Sequence, residues 1–517
     1  MSLSRVFKSA ILLIGLSTIA FFVFEYVVNK AVVHFLTYKI PELVSVKYDS
    51  FTVDSVEGSV SFSKMHITST DRRLGQERVK TEIRMLNLSG LSYWQLLIER
   101  KVYFRKIAII TPVSTYKNLE RVRVENNSSI HLKKPIFVEE LVIEDAKLQV
   151  LNIVSDTTFS VRNVQMVLHD LQIDKNIVNT RIPFKLKDYK IVADTVFCQS
   201  GKFENLHIAQ VLAENKMGVA SKIRYGTKLT RKELSNVIQV ERDHINLTIE
   251  KATFNNFDLS AVADSVSIAG DSIDLSGIHL ALYRDKALKD NSSIKPMLSS
   301  ILKDIPVGLN IKKVNITDGA VVYEEDLQNN RPPGLLYFNN VHGGILAINN
   351  EHEVHDDMSF SLSSKLMGVG RLKLNCNFNS KDGGGGFTAE GQLQDFDMLH
   401  LNGFLNPNAS VKTKGTIDNL YFTINGRKTH ATGAVKMRYQ NLEFVVLKKN
   451  RLGINKLVTF LGNLFINDGS DGDEKGYRHG TINVDKPQGK SFFGYVWAAL
   501  QDGILSVLSG NGEKNTI

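Results

Sequence analysis

Residues 138–151 read VEELVIEDAKLQVL, and residues 311–324 read IKKVNITDGAVVYE with the same spacing of apolar side chains. In both stretches apolar and polar residues alternate until a short step, Asp145-Ala146 or Asp318-Gly319, interrupts them, and the alternation then resumes. Alternation is typical of a β-strand with one apolar and one wet face. Aspartate beside a small residue permits a kink or bulge that keeps the same face inward. The two stretches therefore predict a repeated strand–kink–strand unit.

Much of the remaining chain follows the same pattern. Weaker copies of the unit occur at residues 243–254, around Glu250-Lys251-Ala252, and at residues 104–116, around Thr111-Pro112. Units of this kind stack into an elongated antiparallel sheet, so we expect a mainly β fold with an apolar groove. A large β-sandwich with coincidental turn chemistry is the alternative. The inward residues expected to line the groove are Leu141, Ile143, Leu148, Val150, Leu247, Ile249, Val314, Ile316 and Val321.

The N-terminal segment carries a second signal. Ser9–Val28 has no charged residue up to Phe24, and Glu25 follows. A helix needs about 20 residues to cross the hydrocarbon core of a membrane. Arg5 and Lys8 precede the span and favour an N-terminus in the cytoplasm. We expect an uncleaved anchor, with a cleaved signal peptide and a buried soluble helix as the alternatives.

Helical spacing occurs in three places. Residues 91–101 and 292–306 predict short helices, and residues 490–508 place apolar side chains such as Trp497 on helical faces. The last helix could lie on a membrane or plug the open end of the sheet. Its polar face has few Lys or Arg residues, which favours the plug.

The composition argues against some classes of partner. The 517 residues are 43% hydrophobic and 23% charged, which is typical of a folded protein. The net charge of +9 is spread along the chain and forms no basic stripe, so we expect no nucleic-acid partner. Cys198 and Cys376 lie in apolar contexts and predict structural thiols. No cofactor is expected.

Candidate catalytic and metal-binding segments are weak. The glycine-rich residues 381–391 lack the Gly-Lys-Ser/Thr step and the helix of a phosphate loop. Residues 351–357 contain histidines and acids, but no helix fixes their spacing for a metal. Residues 467–476 fail the calcium-loop pattern. We therefore expect no catalytic residue, no metal site and no enzyme activity, with an envelope hydrolase as a remote alternative.

Several segments resemble the AsmA-like family of bacterial envelope proteins. The most specific one, residues 414–444, carries the strings GTIDNL and ATGAVKMRY. The resemblance implies a single-pass inner-membrane protein of a diderm bacterium whose bulk lies in the periplasm. Relatives in the wider group that includes TamB form a long, curled sheet with an apolar groove. Further segments with this resemblance are residues 91–116, 311–325, 391–407 and 490–504.

The resemblance also implies an organisation and a function. The expected function is phospholipid handling or transport between the inner and outer membranes, or maintenance of the outer membrane, with phospholipid and an envelope protein as partners. A scaffold that assembles outer-membrane proteins is the alternative. The apolar face could accordingly hold acyl chains or bury a second sheet. The expected segments are cytoplasmic residues 1–8, an anchor at 9–28, a periplasmic β-repeat region at 41–330, an AsmA-like β region at 331–489 and an amphipathic helix at 490–510.

Overall fold

The structure of the chain is a computed structural model, and it does not describe every residue. The expected cytoplasmic segment at residues 1–8 and the expected anchor at residues 9–28 lie outside the described residues. The described residues are 30, 43–71, 74–119, 132–178, 180, 182–262, 265–290, 293, 295–305, 307–328, 331–350, 357–379, 386–446 and 472–509.

Strands dominate the described part of the chain, so the predicted mainly β class with few short helices is confirmed. The strands are β1 (Val44–Lys47), β2 (Ser50–Asp54), β3 (Ser59–Thr70), β4 (Glu77–Ser89), β5 (Val102–Lys117), β6 (Ile136–Leu151), β7 (Thr157–Ile173), β8 (Asp188–Gln199), β9 (Glu204–Glu214), β10 (Met217–Thr227), β11 (Asp243–Asn255), β12 (Asp258–Val262), β13 (Ser265–Asp285), β14 (Gly308–Asp326), β15 (Gly334–Asn349), β16 (Ser359–Leu366), β17 (Gly370–Asn379), β18 (Gly386–Asp397), β19 (Val411–Gly426), β20 (His430–Val446) and β21 (Arg478–Asp485). The helices are α1 (Tyr93–Leu97), α2 (Arg231–Val237), α3 (Leu298–Lys303), α4 (Asn402–Ala409) and α5 (Phe492–Ser509), with a 3-10 helix at Met398–Leu401.

The three predicted helices are present as α1, α3 and α5, although the first two are shorter than expected. Helices α2 and α4 were not predicted. The start of α2 has a capping box, in which the Thr230 side chain accepts from the Glu233 backbone and the Glu233 carboxylate accepts from the Thr230 backbone. The Thr-x-x-Glu spacing is a recognised signature of a helix start, so α2 was predictable from the sequence.

Most pairs among the described strands are antiparallel, as expected, but two of these pairs are parallel. Strand β5 pairs in parallel with β6, and β13 pairs in parallel with β14. Parallel neighbours require a long crossover, and residues 118–135 and 286–307 supply one in each case. Alternation describes the two faces of a strand and not the direction of its neighbour, so the sequence pattern could not reveal these pairs.

The chain divides into two compact units. Unit 1 comprises Met1–Ser200, His207–Gly218 and Ala261–Asp264, and unit 2 comprises Gly201–Leu206, Val219–Ser260 and Ser265–Ile517. In unit 1, β1 and β2 both pair with β3, and the ladder then runs in chain order to β8. In unit 2, β11 pairs with β13, and the ladder then runs in chain order from β13 to β21. The boundary predicted between residues 330 and 331 stays a prediction.

The predicted kinks are confirmed. Asp145 and Asp318 have φ values of 53° and 54°, and the register of the antiparallel ladder shifts beside each of them. Their parallel neighbours are kinked at the same level, because Thr111 has a φ of 51° and Gly277 a φ of 64°. In the weaker copy around Glu250 the left-handed residue is Gly277 on the partner strand, where a Cβ would lie 2.7 Å from Glu250 Cγ.

The kinks keep one face of each strand inward, as expected. Lys64 is the left-handed residue of β3, and it separates Phe62 from Met65. These two residues are three positions apart, yet both belong to one buried cluster. In an unbroken strand a step of three places side chains on opposite faces. The bulge at Lys64 therefore returns Met65 to the face that Phe62 occupies.

Candidate functional site

An apolar face crosses six strands of unit 1. Residues that lie directly opposite each other in neighbouring strands point to the same side of the sheet. The first row of such residues is Val60, Leu88, Ile107, Leu141, Leu168 and Tyr189. The second row is Phe62, Leu86, Ile109, Ile143, Met166 and Ile191.

A further row lies beyond the kinks. Val79, Tyr116, Val150, Phe159 and Cys198 follow one another from β4 to β8. The row of Leu148 between them is more polar, because Thr81 and Ser114 share a hydrogen bond of 3.0 Å there. The apolar face therefore continues past the kinks, with a polar interruption beside Leu148.

Most of the predicted lining residues are neither fully buried nor fully exposed. Val314 is buried at 5% exposure, and Leu148 is 38% exposed. The other seven predicted residues are half-buried. In the described part of unit 1 the strands pack chiefly against their ladder neighbours, and α1 lies against β5. Among the described residues of unit 1, the apolar face therefore lacks the close cover that a second packed layer gives a core.

The structure brings the predicted lining residues together in two sets. Leu141, Ile143, Leu148 and Val150 share β6 in unit 1. In unit 2, Leu247 on β11 and Val321 on β14 both lie opposite Leu280 on β13. The other predicted residues of unit 2, Ile249, Val314 and Ile316, lie on the same two strands. The assignment of either set to a groove stays a prediction.

Sequence reasoning missed much of the face in unit 1. Leu168 and Met166 lie opposite Leu141 and Ile143. The signal was present, since apolar and polar residues alternate in parts of 157–173, although Asn163 and Asp170 break the pattern with φ values of 51° and 53°. A search that allowed a step of three at Asn or Asp would have found these rows.

The C-terminal part of unit 2 is a closed core of a different kind. Helix α5 packs on β20 and β21, and Met437 and Tyr495 are both fully buried. Val507 and Leu508 at the end of the helix are also buried, at 1% exposure each. The helix therefore covers the apolar face of these strands, whereas its expected role as a plug for an open end of the sheet stays a prediction. Among the described helices α5 alone has the length and composition to span a membrane, and 39% of its residues are buried in the protein.

Two glycines permit this close packing. A Cβ at Gly480 in β21 would lie 2.5 Å from the Gly503 carbonyl oxygen and 2.7 Å from the Val507 nitrogen. A Cβ at Gly503 in α5 would lie 2.3 Å from Val435 Cγ2. Ser506 and Asp502 of α5 also accept hydrogen bonds from the backbone of β21, at 3.0 and 2.8 Å. The helix therefore covers the edge of β21 as well as the face of the sheet.

A network of ion pairs fastens one end of β11, β13 and β14. Arg284 donates two hydrogen bonds of 2.7 Å to the Asp243 carboxylate, and Lys286 donates one of 2.5 Å to the buried Glu241. Burial lowers the pKa of Arg284 and the Asp243 carboxylate raises it, with a net rise. Burial, followed by a hydrogen bond to Asp326, raises the pKa of Tyr283 to about 12. The two ion pairs and the hydrogen bond from Tyr283 to Asp326 hold these strand ends together.

The weak candidate segments fall partly outside the described residues. Residues 351–356, 380–385 and 447–471 are not described, and residues 386–391 form the start of β18. Within the described ranges no group of three or more metal-ligating side chains is found. Both cysteines are free thiols, and burial raises the pKa of Cys376 to about 12.

Comparison with known proteins does not assign the chain. No family profile matches it, and no curated protein sequence is significantly similar to it. The function is therefore argued from the half-exposed apolar face of unit 1.

Proposed function

We propose that the chain is a non-enzymatic envelope protein that holds and conducts phospholipid along the apolar face of unit 1. The observation that carries this proposal is the pair of neighbouring apolar rows that run across β3–β8 with mostly half-buried side chains. A contiguous apolar face that is left in water is unfavourable, at about 25 cal/mol per Å². Exposed patches of this kind commonly mark a binding surface.

The dimensions of the face suit an acyl chain. Neighbouring strands are about 4.8 Å apart, so a row across six strands is about 24 Å long. One leaflet of a hydrocarbon core about 30 Å thick is about 15 Å deep. An acyl chain could therefore lie along the row while its headgroup stays in water. Each CH₂ group that is kept from water contributes about 0.8 kcal/mol.

The proposal includes a location and an architecture. Ser9–Val28 would anchor the chain once in the inner membrane of a diderm bacterium, with the bulk in the periplasm. The kinked strands would curl the sheet into a groove of the kind that the AsmA-like resemblance implies. The length of the apolar run and the motif in residues 414–444 support this part of the proposal. Transport along such a groove would be passive, with direction set by a lipid gradient or a protein partner.

Site-specific photo-crosslinking in cells tests the proposal. Benzoylphenylalanine at Ile143 should form lipid adducts, because Ile143 lies in the second apolar row. Benzoylphenylalanine in place of Lys147 is the matched control. Lys147 is exposed and lies opposite Val113 on the adjoining strand. Mass spectrometry of the purified chain should find phospholipid on the first variant and little on the second. Equal labelling of the two positions, or no lipid on either, would refute the proposal.

A scaffold for outer-membrane proteins is the second candidate. The closed core between α5 and β20–β21 favours it, because a dry core with a covered edge is what a purely structural domain requires. The same crosslinking experiment separates the two candidates. A protein adduct at Ile143, without lipid, would identify the apolar face as a surface for a client protein.

A further inference from the structure

Helix α1 presents an exposed apolar patch at one end of the unit 1 sheet. Trp94, Leu97 and Ile98 are 68%, 73% and 62% exposed. Their spacing of i, i+3 and i+4 places them on one side of a helical turn. Large apolar residues that are this exposed and adjoin one another are uncommon on a soluble surface without a partner.

The turn is held firmly from beneath. The Tyr93 hydroxyl donates to the Ser55 carbonyl oxygen at 2.8 Å, and the backbone N–H of Leu91 donates to the Gly58 carbonyl oxygen at 3.0 Å. Ser92 caps the start of α1 by accepting from the Gln95 backbone at 3.3 Å. Lys134 Nζ donates to the Leu96 carbonyl oxygen at 3.0 Å at the other end. The exposure of the patch is therefore fixed by the fold and does not result from a loose loop.

Two exposed basic residues lie near the patch, one along the chain and one beside Lys134. Arg100 directly follows it, and Lys133 lies beside the Lys134 that is bonded to the helix; both Arg100 and Lys133 are exposed. Arg100 has a φ of 55°, which ends the turn. The acidic groups nearby are mostly engaged: Glu99 pairs with Lys101, Glu140 pairs with Lys106, and Glu139 accepts from Tyr103. Arg100, Arg105 and Lys133 are exposed at this end, and the exposed acids of the neighbouring turn are Glu57 and Asp54, whose carboxylate accepts hydrogen bonds from the Val56 and Glu57 backbone.

We propose that this patch docks on an anionic phospholipid membrane. Trp94 would lie at the boundary between headgroups and acyl chains, where tryptophan is enriched. Leu97 and Ile98 would enter the hydrocarbon edge, while Arg100 and Lys133 contact lipid phosphates. The proposal concerns the end of the sheet and does not require the apolar face to carry lipid. Such a contact would place the unit 1 sheet directly against a bilayer.

Tryptophan quenching tests this inference on the full chain. The chain has two tryptophans, so Trp497→Phe leaves Trp94 as the sole reporter. The protein is reconstituted into vesicles of one part phosphatidylglycerol to two parts phosphatidylcholine, with plain or brominated acyl chains. Bromine should lower Trp94 emission roughly twofold, because quenching requires contact with the acyl region. In vesicles of phosphatidylcholine alone the quenching should be much weaker.

Matched variants identify the contact. Leu97→Asp should restore most of the emission of Trp94, whereas Val154→Asp should leave the quenching unchanged. Val154 is a suitable control because it is 69% exposed in the turn between β6 and β7, at the opposite end of the strands. The double variant Arg100→Glu with Lys133→Glu should reduce quenching in the mixed vesicles to the level expected in vesicles of phosphatidylcholine alone. Equal Trp94 emission in brominated and plain vesicles would overturn the proposal. Quenching that changes neither with lipid charge nor with these variants would overturn it as well.

Discussion

Replacing Gly480 with alanine should loosen α5 from the C-terminal core of unit 2. The added methyl group would lie 2.5 Å from the Gly503 carbonyl oxygen and 2.7 Å from the Val507 nitrogen. Nonbonded heavy atoms at rest are about 3.5–4.0 Å apart, so the helix must move by about 1 Å. Both obstructing atoms belong to the backbone and cannot rotate away. We therefore expect a cost near the upper end of the range of about 1–3 kcal/mol that is typical of overpacking.

Urea unfolding, followed by Trp497 emission in a Trp94→Phe background, measures this cost. A loss of about 3 kcal/mol corresponds to a lower midpoint by on the order of 1 M, since urea slopes are about 1–3 kcal/mol per M. Gly494→Ala is the matched control within α5. Its nearest neighbours are the Lys490 side chain at 3.2 Å and the Ser491 hydroxyl at 3.7 Å. Alanine also favours a helix by about 1 kcal/mol over glycine, so this control should be neutral or stabilising.

The comparison refutes the packing argument if the two variants unfold at the same urea concentration. That result would mean that α5 does not rest on β21 in solution. The helix would then be free to lie on a membrane, which is the alternative that the sequence leaves open for residues 490–508. A lower urea midpoint for Gly480→Ala alone would instead support a helix that packs against β21 as part of the core.

Three further predictions concern single side chains. Ile143→Asp should abolish lipid transfer while the chain still folds, and a variant that folds and still carries lipid would contradict the groove assignment. Tyr495→Phe should be neutral or stabilising in thermal unfolding, because the buried Tyr495 hydroxyl has no hydrogen-bond partner among the described residues. Tyr439→Phe should instead lower the free energy of unfolding by about 1–3 kcal/mol, because Arg478 then loses the hydroxyl that accepts its hydrogen bond. Hydrogen bonds from His479 and then from the backbone lower the pKa of Asp473 to about 2. The stabilisation by the Asp473 carboxylate is therefore present above its ordinary pKa of 3.8 and is lost as the pH falls towards 2. Asp473→Asn should remove that loss in pH-dependent unfolding, and an unchanged profile would show that the pair with His479 does not form.

The sequence was most informative about the kinks. Asp145 and Asp318 were recognisable because aspartate is one of the few residues that adopts positive φ readily. Thr111 was recognisable from the Thr111-Pro112 step of a weaker copy. Lys64 adopts the same conformation without belonging to a residue type that favours it, so the local sequence carries little signal there.

The cover over each apolar face could not be predicted from alternation. Ile143 and Val435 lie in equally regular alternating stretches, yet Ile143 is half-buried and Val435 is 1% exposed. The difference arises because α5, which follows Val435 by more than 50 residues, covers Val435. The signal for that cover was compositional: Gly480 and Gly503 leave space for a helix to approach a strand.

The two kinds of apolar face have different consequences for function. Where α5 covers the strands, Met437 and its neighbours expose almost no apolar area to water, so a ligand has nothing further to bury there. Where kinked strands face water with half-buried rows, as around Ile143, the same apolar pattern leaves area that a ligand can still remove from water. The kinks at Thr111 and Asp145 lie side by side, and aligned bulges bend neighbouring strands together. A sheet that bends in this way can partly enclose its own apolar face without a second layer, which is the property that a protein conducting acyl chains would require.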